Sequence, residues 1–444
     1  MSSLLNLGMM GKVAADQSDS ENSYRALVCL FLSGGNDSFN MLAPVSGEAR
    51  SDYESSRGAV AIPVSQLLAL PEPLPDGREL GIHEKMPEIH GLLNQGKAAL
   101  VSNVGSLIEP TTKSAYDDGT ARIPLGLFSH SDQSVHWQST LPDQRSPQSG
   151  WGGRLADRLA ALNGVSNVSM NVSLSGLNIF QSGGDSAALA ISSSGTLALQ
   201  DWDNPSFLHR RQAAEAILDA EYQNAFERTF VNLRKGAIVA ASEFTEALAT
   251  QSDLGDFFSD NDLSQRLRTV ARTIASRGPL NKNRQTFFVE FGGWDLHGSS
   301  AGHPALLEQL SKSIGEFQAA MAFLETEENV TLFTGSDFGR TLTPNQTGTD
   351  HAWGGNQLVV GGAVSGGQFF GDYPDLALNT NLDAGRGRLI PTTSVDEYYG
   401  DLALWMGVPP SDLGYVLPSL HRFWDSAGGG APLLAFFLLS RFSF

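Results

Sequence analysis

Aspartate and histidine side chains lie beside glycines at the ends of four apolar runs in this sequence. The residues are Asp37, Asp295, His297, Asp337, Asp350 and His351. Carboxylates and imidazoles bind divalent ions such as zinc or manganese, and a pair of such ions stabilises both attacking and leaving oxygens when a phosphoryl group or its analogue is transferred. Any one of these positions is also explained by an Asx turn, a helix cap or a packed histidine. Such residues at the ends of four runs in one chain favour a shared cause, which is a metal site.

Apolar runs rich in β-branched and aromatic residues predict the strands that must position these side chains. The runs are 26–33, 98–104, 285–291, 329–334 and 356–362. Near-continuous apolar strands are typical of a sheet covered on both faces, as parallel sheets are. In open α/β sheets, ligands bind at the carboxyl ends of the strands. We therefore expect the acidic and imidazole side chains to meet at one edge of the sheet.

Helical periodicity lies between the predicted strands. Apolar residues recur at three- and four-residue steps from Pro304 to Leu324, and 211–251 and 263–277 are helical by composition and spacing. The Ser/Gly/Asn-rich stretch 164–198 alternates polar and apolar residues, which predicts a hairpin or a cap rather than core sheet. The predicted fold class is α/β: a doubly wound, mostly parallel sheet with an inserted β-rich cap segment.

Composition limits the partners of the chain. Its 444 residues are 41% hydrophobic, enough for a large core, and its formal charge is −19. Nucleic acids and anionic membranes bind basic surfaces, so neither is a predicted partner. The single cysteine, Cys29, lies in an apolar strand, which excludes an internal disulfide and predicts a packed core residue. An anionic substrate would need local positive charge, from a metal or from a few arginines.

The chain is predicted to form one domain, residues 24–425, with 164–198 as its cap. Residues 1–23 have an apolar stretch but no basic region ahead of it, which fits either the remnant of an export signal or a disordered start. The tail 426–444 contains only nine consecutive apolar residues, too few to cross a bilayer. No stable membrane insertion is therefore predicted.

An ordered set of motifs resembles a bacterial family of unknown function, domain-of-unknown-function family 1501. The motifs are LVCLFLSGGNDSFNMLAP, GGWDLHG, TGSDFGRT with GTDHAWGG, and GRLIPTTSVDEYYGDLALWMGV, and they cover about Tyr24 to Asp425. That family is grouped with the alkaline phosphatase and sulfatase superfamily and is often exported by the twin-arginine route. The resemblance implies an alkaline-phosphatase-like fold and a periplasmic or exported protein. The protein is cytoplasmic if Met1 is the true start without an export signal.

The resemblance also implies a set of ligands for divalent metal ions, which include zinc, manganese, calcium and magnesium. The implied metal ligands are Asp37, Asp295, His297, Asp337 and His351. Two positions depart from the superfamily pattern. The Asp295/His297 spacing is shorter than usual, which leaves His303 as an alternative to His297. Phe338 stands where the superfamily has a second-metal histidine.

The superfamily nucleophile lies at a helix N-terminus after the second strand, which points to Ser129 in GLFSHSDQSVHW. The adjacent His130 is then a further ligand or an acid/base group, and Arg340 binds substrate oxygens. Two simpler roles stay open: Ser129 as a helix cap, and Arg340 in a salt bridge on a turn. No cysteine occurs at the nucleophile position, so the formylglycine chemistry of sulfatases is excluded there.

Three functions follow from these residues. The first is a metal-dependent hydrolase or transferase of phosphate or sulfate esters, acting on a small-molecule or glycan ester. The second is an exported, non-catalytic, metal-stabilised binding protein. The third is a metal-free serine hydrolase built on Ser300 in GSSAG, although an elbow serine should directly follow its strand. The oligomeric state is left open by the sequence.

Overall fold

The computed structural model describes residues 23–193, 195–196, 204–424 and 434–437. The predicted export-signal remnant, 1–23, lies outside these residues except for Ser23, and so does the predicted tail 426–444 except for 434–437.

Strands and helices alternate through most of the described chain. The strands are β1 (Arg25–Leu32), β2 (Leu42–Pro44), β3 (Leu67–Ala69), β4 (Leu80–His83), β5 (Ala98–Gly105), β6 (Asn171–Ser173), β7 (Leu189–Ser192), β8 (Gly195–Thr196), β9 (Arg284–Phe291), β10 (Val330–Ser336), β11 (Arg340–Asn345), β12 (Gly348–His351), β13 (Gly355–Val360), β14 (Phe369–Phe370) and β15 (Thr393–Ser394). The helices are α1 (Ser38–Met41), α2 (Gly47–Arg57), α3 (Pro87–Asn94), α4 (Lys113–Asp117), α5 (His130–Ser139), α6 (Trp151–Leu159), α7 (Leu208–Asp219), α8 (Ala225–Ala249), α9 (Asp262–Ala275), α10 (His303–Phe323), α11 (Val395–Met406) and α12 (Leu413–Val416).

The main sheet has ten strands in the order β14-β5-β13-β10-β1-β9-β6-β7-β8, with β15 also pairing with β5. The pairs of β1 with β10 and β9 are parallel, as are those of β6 with β9 and β7. Strand β13 runs antiparallel between β10 and β5. The predicted fold class, α/β with a large and mostly parallel sheet, is confirmed.

Both faces of the main sheet are covered, as the continuous apolar strands predict. Alternate residues of β1 point to opposite faces, because side chains alternate along a strand. Val28 and Leu30 join one core, which includes buried residues of α9 and α10. Cys29 and Phe31 join the other core, which includes α6 and α11. Cys29 is therefore the packed core residue that the sequence predicted.

The predicted strands and helices match the structure closely, with two differences. The predicted helix over 211–251 is two helices, because residues 220–224 separate α7 from α8. The stretch 164–198 contains an antiparallel hairpin, β7 with β8, as one of its two predicted forms, but it also contains β6, which pairs parallel with β9 and joins the main sheet. Polar–apolar alternation indicates a half-buried strand without identifying its partner, which is why a cap was predicted there.

No helix within the described residues is both long and apolar enough to cross a membrane.

Candidate metal centre

Four side chains bring one ligand atom each to within 4.8 Å of one another. They are His130, Asp295, His297 and His351, and we call them the His3Asp cluster. The Oδ1 atom of Asp295 lies 3.1 Å from His297 Nε2, 3.5 Å from His130 Nε2 and 3.7 Å from His351 Nε2. The three imidazoles thus share one carboxylate oxygen at their centre.

The sheet places all four residues at the carboxyl edge of its parallel strands. Asp295 and His297 follow β9, and His130 begins α5, which comes after β5 in the chain. His351 precedes β13 instead of following a strand. Because β13 is antiparallel to its neighbours, its first residue, Gly355, pairs with Val104 near the end of β5. The start of β13 therefore lies at the edge where the other strands end, and His351 reaches the cluster.

Two glycines after β1 allow the close approach of chain segments at this edge. Gly34 and Gly35 have φ values of 116° and 80°, a region that favours glycine. A Cβ atom on Gly34 would lie 2.5 Å from the backbone nitrogen of Asp295. The backbone N–H of Gly34 also donates to Asp337 Oδ2 at 3.1 Å. Gly34 thus joins the turns after three neighbouring strands, β1, β9 and β10.

Each cluster histidine has its Nδ1 atom beside an acceptor. His130 Nδ1 lies 2.6 Å from Asp337 Oδ2, His297 Nδ1 lies 3.2 Å from Asp350 Oδ1, and His351 Nδ1 lies 2.7 Å from the carbonyl oxygen of Phe128. An acceptor at Nδ1 fixes the proton on that nitrogen and leaves Nε2 as a lone pair. Each ring therefore has an acceptor for the Nδ1 proton of the tautomer that binds metal through Nε2.

The donor set fits a divalent metal ion. His297 Nε2 and His351 Nε2 are only 2.5 Å apart, and His130 Nε2 is buried with no hydrogen-bond partner among the described residues. Lone pairs that face one another repel unless a proton or a cation lies between them. Three imidazole nitrogens and one carboxylate oxygen are a four-ligand set of the type that zinc takes.

Burial and neighbouring charges shift the pKa values of the cluster residues in different directions. Partial burial raises the pKa of Asp295, but the hydrogen bond and charge of Arg340 outweigh burial and hold that pKa below its usual value. The hydrogen bond to Asp337 raises the pKa of His130, whereas burial lowers the pKa of His351. The carboxylate thus stays charged, ready to bind a cation.

The cluster is open to solvent. The side chains of Asp295 and His297 are 49% and 40% exposed, and those of His130 and His351 are 31% and 21% exposed. The exposed side chains of Asp295 and His297 therefore give a small ligand access to the cluster, whereas the Nε2 atom of His130 is itself buried.

Two predicted ligands, Asp37 and Asp337, lie outside the cluster. Asp37 forms a buried ion pair with Arg57, which also donates to Asn40 and to the carbonyl of Thr341. Asp337 is buried, and besides His130 and Gly34 it accepts a hydrogen bond from Ser134 at 2.9 Å. In place of a shared set of five ligands, the structure brings together three of the predicted metal ligands and His130.

The remaining predicted residues surround the cluster in other roles. Arg340 is buried and donates hydrogen bonds to Asp295 Oδ1 at 2.7 Å and to the carbonyls of Gly34, Gly35, Trp294 and Thr349, so its guanidinium faces protein instead of a substrate.

Ser129 is the N-cap of α5, and its hydroxyl oxygen accepts a hydrogen bond from the N–H of Asp132. His303 bonds Asn36 at 3.0 Å in the core, and burial lowers its pKa to about 4. Ser300 Oγ donates to the carbonyl of Thr347 at 2.8 Å.

A family model described as a protein of unknown function, DUF1501, matches residues 24–407. The chain belongs to the DUF1501 family. This confirms the family that the motifs predicted. A search of curated proteins finds none that matches this DUF1501 chain.

Solved structures that resemble this DUF1501 protein include a sulfatase and an alkaline phosphatase, the classes that the resemblance implied. PsFucS1 sulfatase from Pseudoalteromonas sp. is 12% identical, with 96% of this chain and 76% of that chain covered and a TM-score of 0.36. A variant of alkaline phosphatase PafA is 12% identical, with 72% and 64% covered and a TM-score of 0.30. The C-terminal periplasmic domain of EcEptC from Escherichia coli, in complex with Zn, is 11% identical, with 92% and 89% covered and a TM-score of 0.31. Likenesses this distant carry no statement about substrate or mechanism.

The sequence of this DUF1501 protein did not predict that Asp350 and Asp337 form hydrogen bonds with histidines of the cluster. Asp350 bonds His297 on one oxygen and Arg386, at 2.7 Å, on the other. An aspartate beside a histidine, as in GTDHAWGG, is a signal for either a ligand or its support. Only the position of the side chains distinguishes the two.

Replacing Asp337 by asparagine is expected to weaken zinc binding by this DUF1501 protein about 10- to 100-fold. The amide removes the carboxylate that fixes the Nδ1 proton of His130, so the ring no longer presents Nε2 as a preset lone pair. Competition titration against a chromogenic chelator measures the change.

Asp132→Asn is the matched control for Asp337→Asn, because Asp132 also belongs to the α5 region and its carboxylate lies 3.9 Å from Arg145. Its zinc affinity should equal that of the wild type. Equal affinities for Asp337→Asn and the wild type, with both chains folded by circular dichroism, would show that His130 is not held as a ligand.

Proposed function

We propose that the His3Asp cluster holds one divalent metal ion and that the protein hydrolyses or transfers phosphate or sulfate esters there. The observation that carries the proposal is the convergence of three Nε2 atoms and one carboxylate oxygen within 4.8 Å at a solvent-open edge of the sheet. When bound, such an ion polarises an ester oxygen and lowers the pKa of a water molecule.

The donor chemistry favours zinc over the harder ions. Calcium and magnesium take oxygen ligands almost exclusively, whereas imidazole suits zinc and related transition metals. The ligands of the site are therefore His130, Asp295, His297 and His351, with Asp337 and Asp350 as positioning residues. Arg340 is assigned to holding Asp295 instead of the substrate, because its donors bond Asp295 and backbone carbonyls.

The N-terminus of α5 gives the substrate anion a second point of attachment. His130 and Ser131 are the first two residues of this helix, and their N–H groups have no partner inside it. Unpaired N–H groups and the helix dipole attract anions. Because His130 also belongs to the cluster, an ester anion near the metal lies close to this helix end. This arrangement supplies the local positive charge that a chain of −19 needs for an anionic substrate.

Ser129 remains the proposed nucleophile, with Ser131 as its neighbour. The two Oγ atoms are 3.1 Å apart at the start of α5. His130 Nδ1 is occupied by Asp337, so His130 does not serve Ser129 as a base through that atom. The proton of Ser129 would have to pass to solvent, either directly or through the Ser131 hydroxyl, which accepts it while giving up its own proton.

A test of the function measures turnover of p-nitrophenyl phosphate, bis-p-nitrophenyl phosphate and p-nitrophenyl sulfate with zinc or manganese. We expect metal-dependent turnover of at least one ester that falls about 100-fold or more in Asp295→Asn. Ser129→Gly is the nucleophile variant, because glycine at an N-cap costs only a few tenths of a kcal/mol. Ser131→Gly on the same helix turn is its matched control.

A second function, a non-catalytic metal-stabilised binding protein, is favoured by one observation. Asp37 is paired with Arg57 and Asp337 with His130, so neither is free to complete a second metal site. Zinc-dependent thermal stabilisation without turnover on any ester would favour this binding function. Turnover that persists in chelator would contradict both metal-based functions.

An exported location is part of the proposal and rests on the family resemblance alone. Translating the genomic DNA upstream of Met1 tests it. A twin-arginine segment in frame would support export, and an in-frame stop without such a segment would contradict it.

A further inference from the structure

Large apolar side chains are exposed in a row along helix α8. Phe226 is 87% exposed, Phe230 58% and Leu233 70%, and Ala237 on the same row is also exposed. We call these four residues the α8 stripe. Single exposed apolar residues are ordinary, but a contiguous row marks an interaction surface.

The spacing of the α8 stripe matches a coiled-coil seam. Its residues follow one another at steps of four, three and four, which is the a/d pattern of a heptad repeat. Such a seam packs against another helix with side chains interlocked. The stripe is therefore suited to a helical partner more than to a flat surface.

The protein's own core covers the C-terminal half of the same face of α8, because Ala240 and Phe244 continue the row of the α8 stripe at steps of three and four. Val231 is buried, and Ala240 and Phe244 near the C-terminal end of the helix are buried with the main core. Lys235 pairs with Asp219 of α7 at 2.8 Å, which ties the two helices together. The α8 stripe is therefore the exposed N-terminal part of a face whose C-terminal part is buried in the core.

Charged residues beside the stripe are complementary to a second copy of themselves. Glu227 and Arg234 are seven residues apart, so they occupy the same heptad position with opposite charges. In two antiparallel helices, this position of one helix faces the same position of the other. Glu227 of each copy would then face Arg234 of the other, and Phe230 and Phe226 would pack on Leu233 and Ala237 of the other copy.

We propose that the α8 stripe is the interface of a homodimer in which the α8 helices of two copies pack antiparallel about a two-fold axis. A two-fold interface must be self-complementary, and the a/d row with its Glu227/Arg234 pair meets that condition. A membrane surface is the other occupant to test, and binding to anionic lipid vesicles by a chain that stays monomeric would contradict the dimer. The dimer does not depend on metal at the His3Asp cluster.

Sedimentation equilibrium of the full chain tests the dimer. The wild type is expected to dimerise, and Phe230→Ser with Leu233→Ser should raise the dissociation constant at least about 100-fold. Leu177→Ser is the matched control, since Leu177 is 86% exposed and lies outside α8. It should dimerise like the wild type.

Charge reversal gives a second test, in which Arg234→Glu also removes the guanidinium of Arg234 from its position 5.2 Å over the Phe230 ring and Glu227→Arg leaves that contact in place. Glu227→Arg alone and Arg234→Glu alone should each weaken the dimer about 10- to 100-fold, because like charges then face each other twice. An equimolar mixture of the two variants should recover a heterodimer, and the double variant Glu227→Arg with Arg234→Glu should recover the homodimer. Both residues are exposed, so the variants should keep the wild-type melting temperature.

Three results would overturn the proposal. One is a wild type that stays monomeric at high micromolar concentration. Another is a dimer unaffected by Phe230→Ser with Leu233→Ser. The third is a pair of single charge variants that fail to associate when mixed although each is folded.

Discussion

Replacing His351 by alanine should reduce the metal content from about one ion per chain to less than about a tenth of that value. His351 supplies one of only four ligand atoms, and its Nε2 lies 2.5 Å from that of His297, so its loss leaves the site with three donors and an open side. Plasma mass spectrometry on protein purified without chelator or affinity metal measures the content.

Thermal unfolding gives an independent reading of the same change. Zinc at about 1,000 times its dissociation constant should stabilise the wild type by about 4 kcal/mol, and His351→Ala should lose most of that stabilisation. In chelator the variant should unfold near the wild-type temperature, because the ring is partly exposed. His209→Ala, an exposed histidine of α7, is the control and should keep the wild-type metal content and zinc response. Full metal content in His351→Ala would contradict the assigned ligand set.

Replacing Arg57 by methionine should lower the free energy of unfolding by about 3–5 kcal/mol. Arg57 is completely buried and pairs with Asp37, which is itself only 3% exposed. The second oxygen of Asp37, Oδ1, is buried with no hydrogen-bond partner among the described residues. Removing Arg57 leaves a buried carboxylate without a counter-charge. Urea unfolding followed by circular dichroism measures the loss.

A double variant separates the ion pair from the packing of Arg57. Asp37→Asn with Arg57→Met should recover a large part of the lost stability, because the buried charge is then gone from both sides. Arg211→Met is the surface control, since its ion pair with Glu215 is solvent-exposed, and it should change stability by less than about 1 kcal/mol. If Arg57→Met were no less stable than Arg211→Met, the Asp37/Arg57 pair would not hold the turn after β1. Asp37 would then be free for the ligand role that its position after β1 predicts.

The strands and helices that build the fold were predictable because their signals are local. The runs 285–291 and 329–334 appear as β9 (Arg284–Phe291) and β10 (Val330–Ser336), and the periodicity from Pro304 to Leu324 appears as α10. Each of these signals is a burial pattern that a segment carries by itself. The stretch 164–198 carries a weaker signal, and its placement as an edge of the main sheet depends on a parallel pair of β6 with β9, far away in the chain.

The amino-acid sequence by itself determined which side chains can bind a metal and that most of them follow buried strands. It could not determine which of them meet. His351 joins the cluster because β13 runs antiparallel between β10 and β5. Asp37 lies outside the cluster, where its carboxylate forms an ion pair with Arg57, twenty residues later in the chain. Strand direction and the pairing of buried charges are set by contacts between distant segments. Ligand types are therefore readable from the chain, whereas their convergence is decided by tertiary packing.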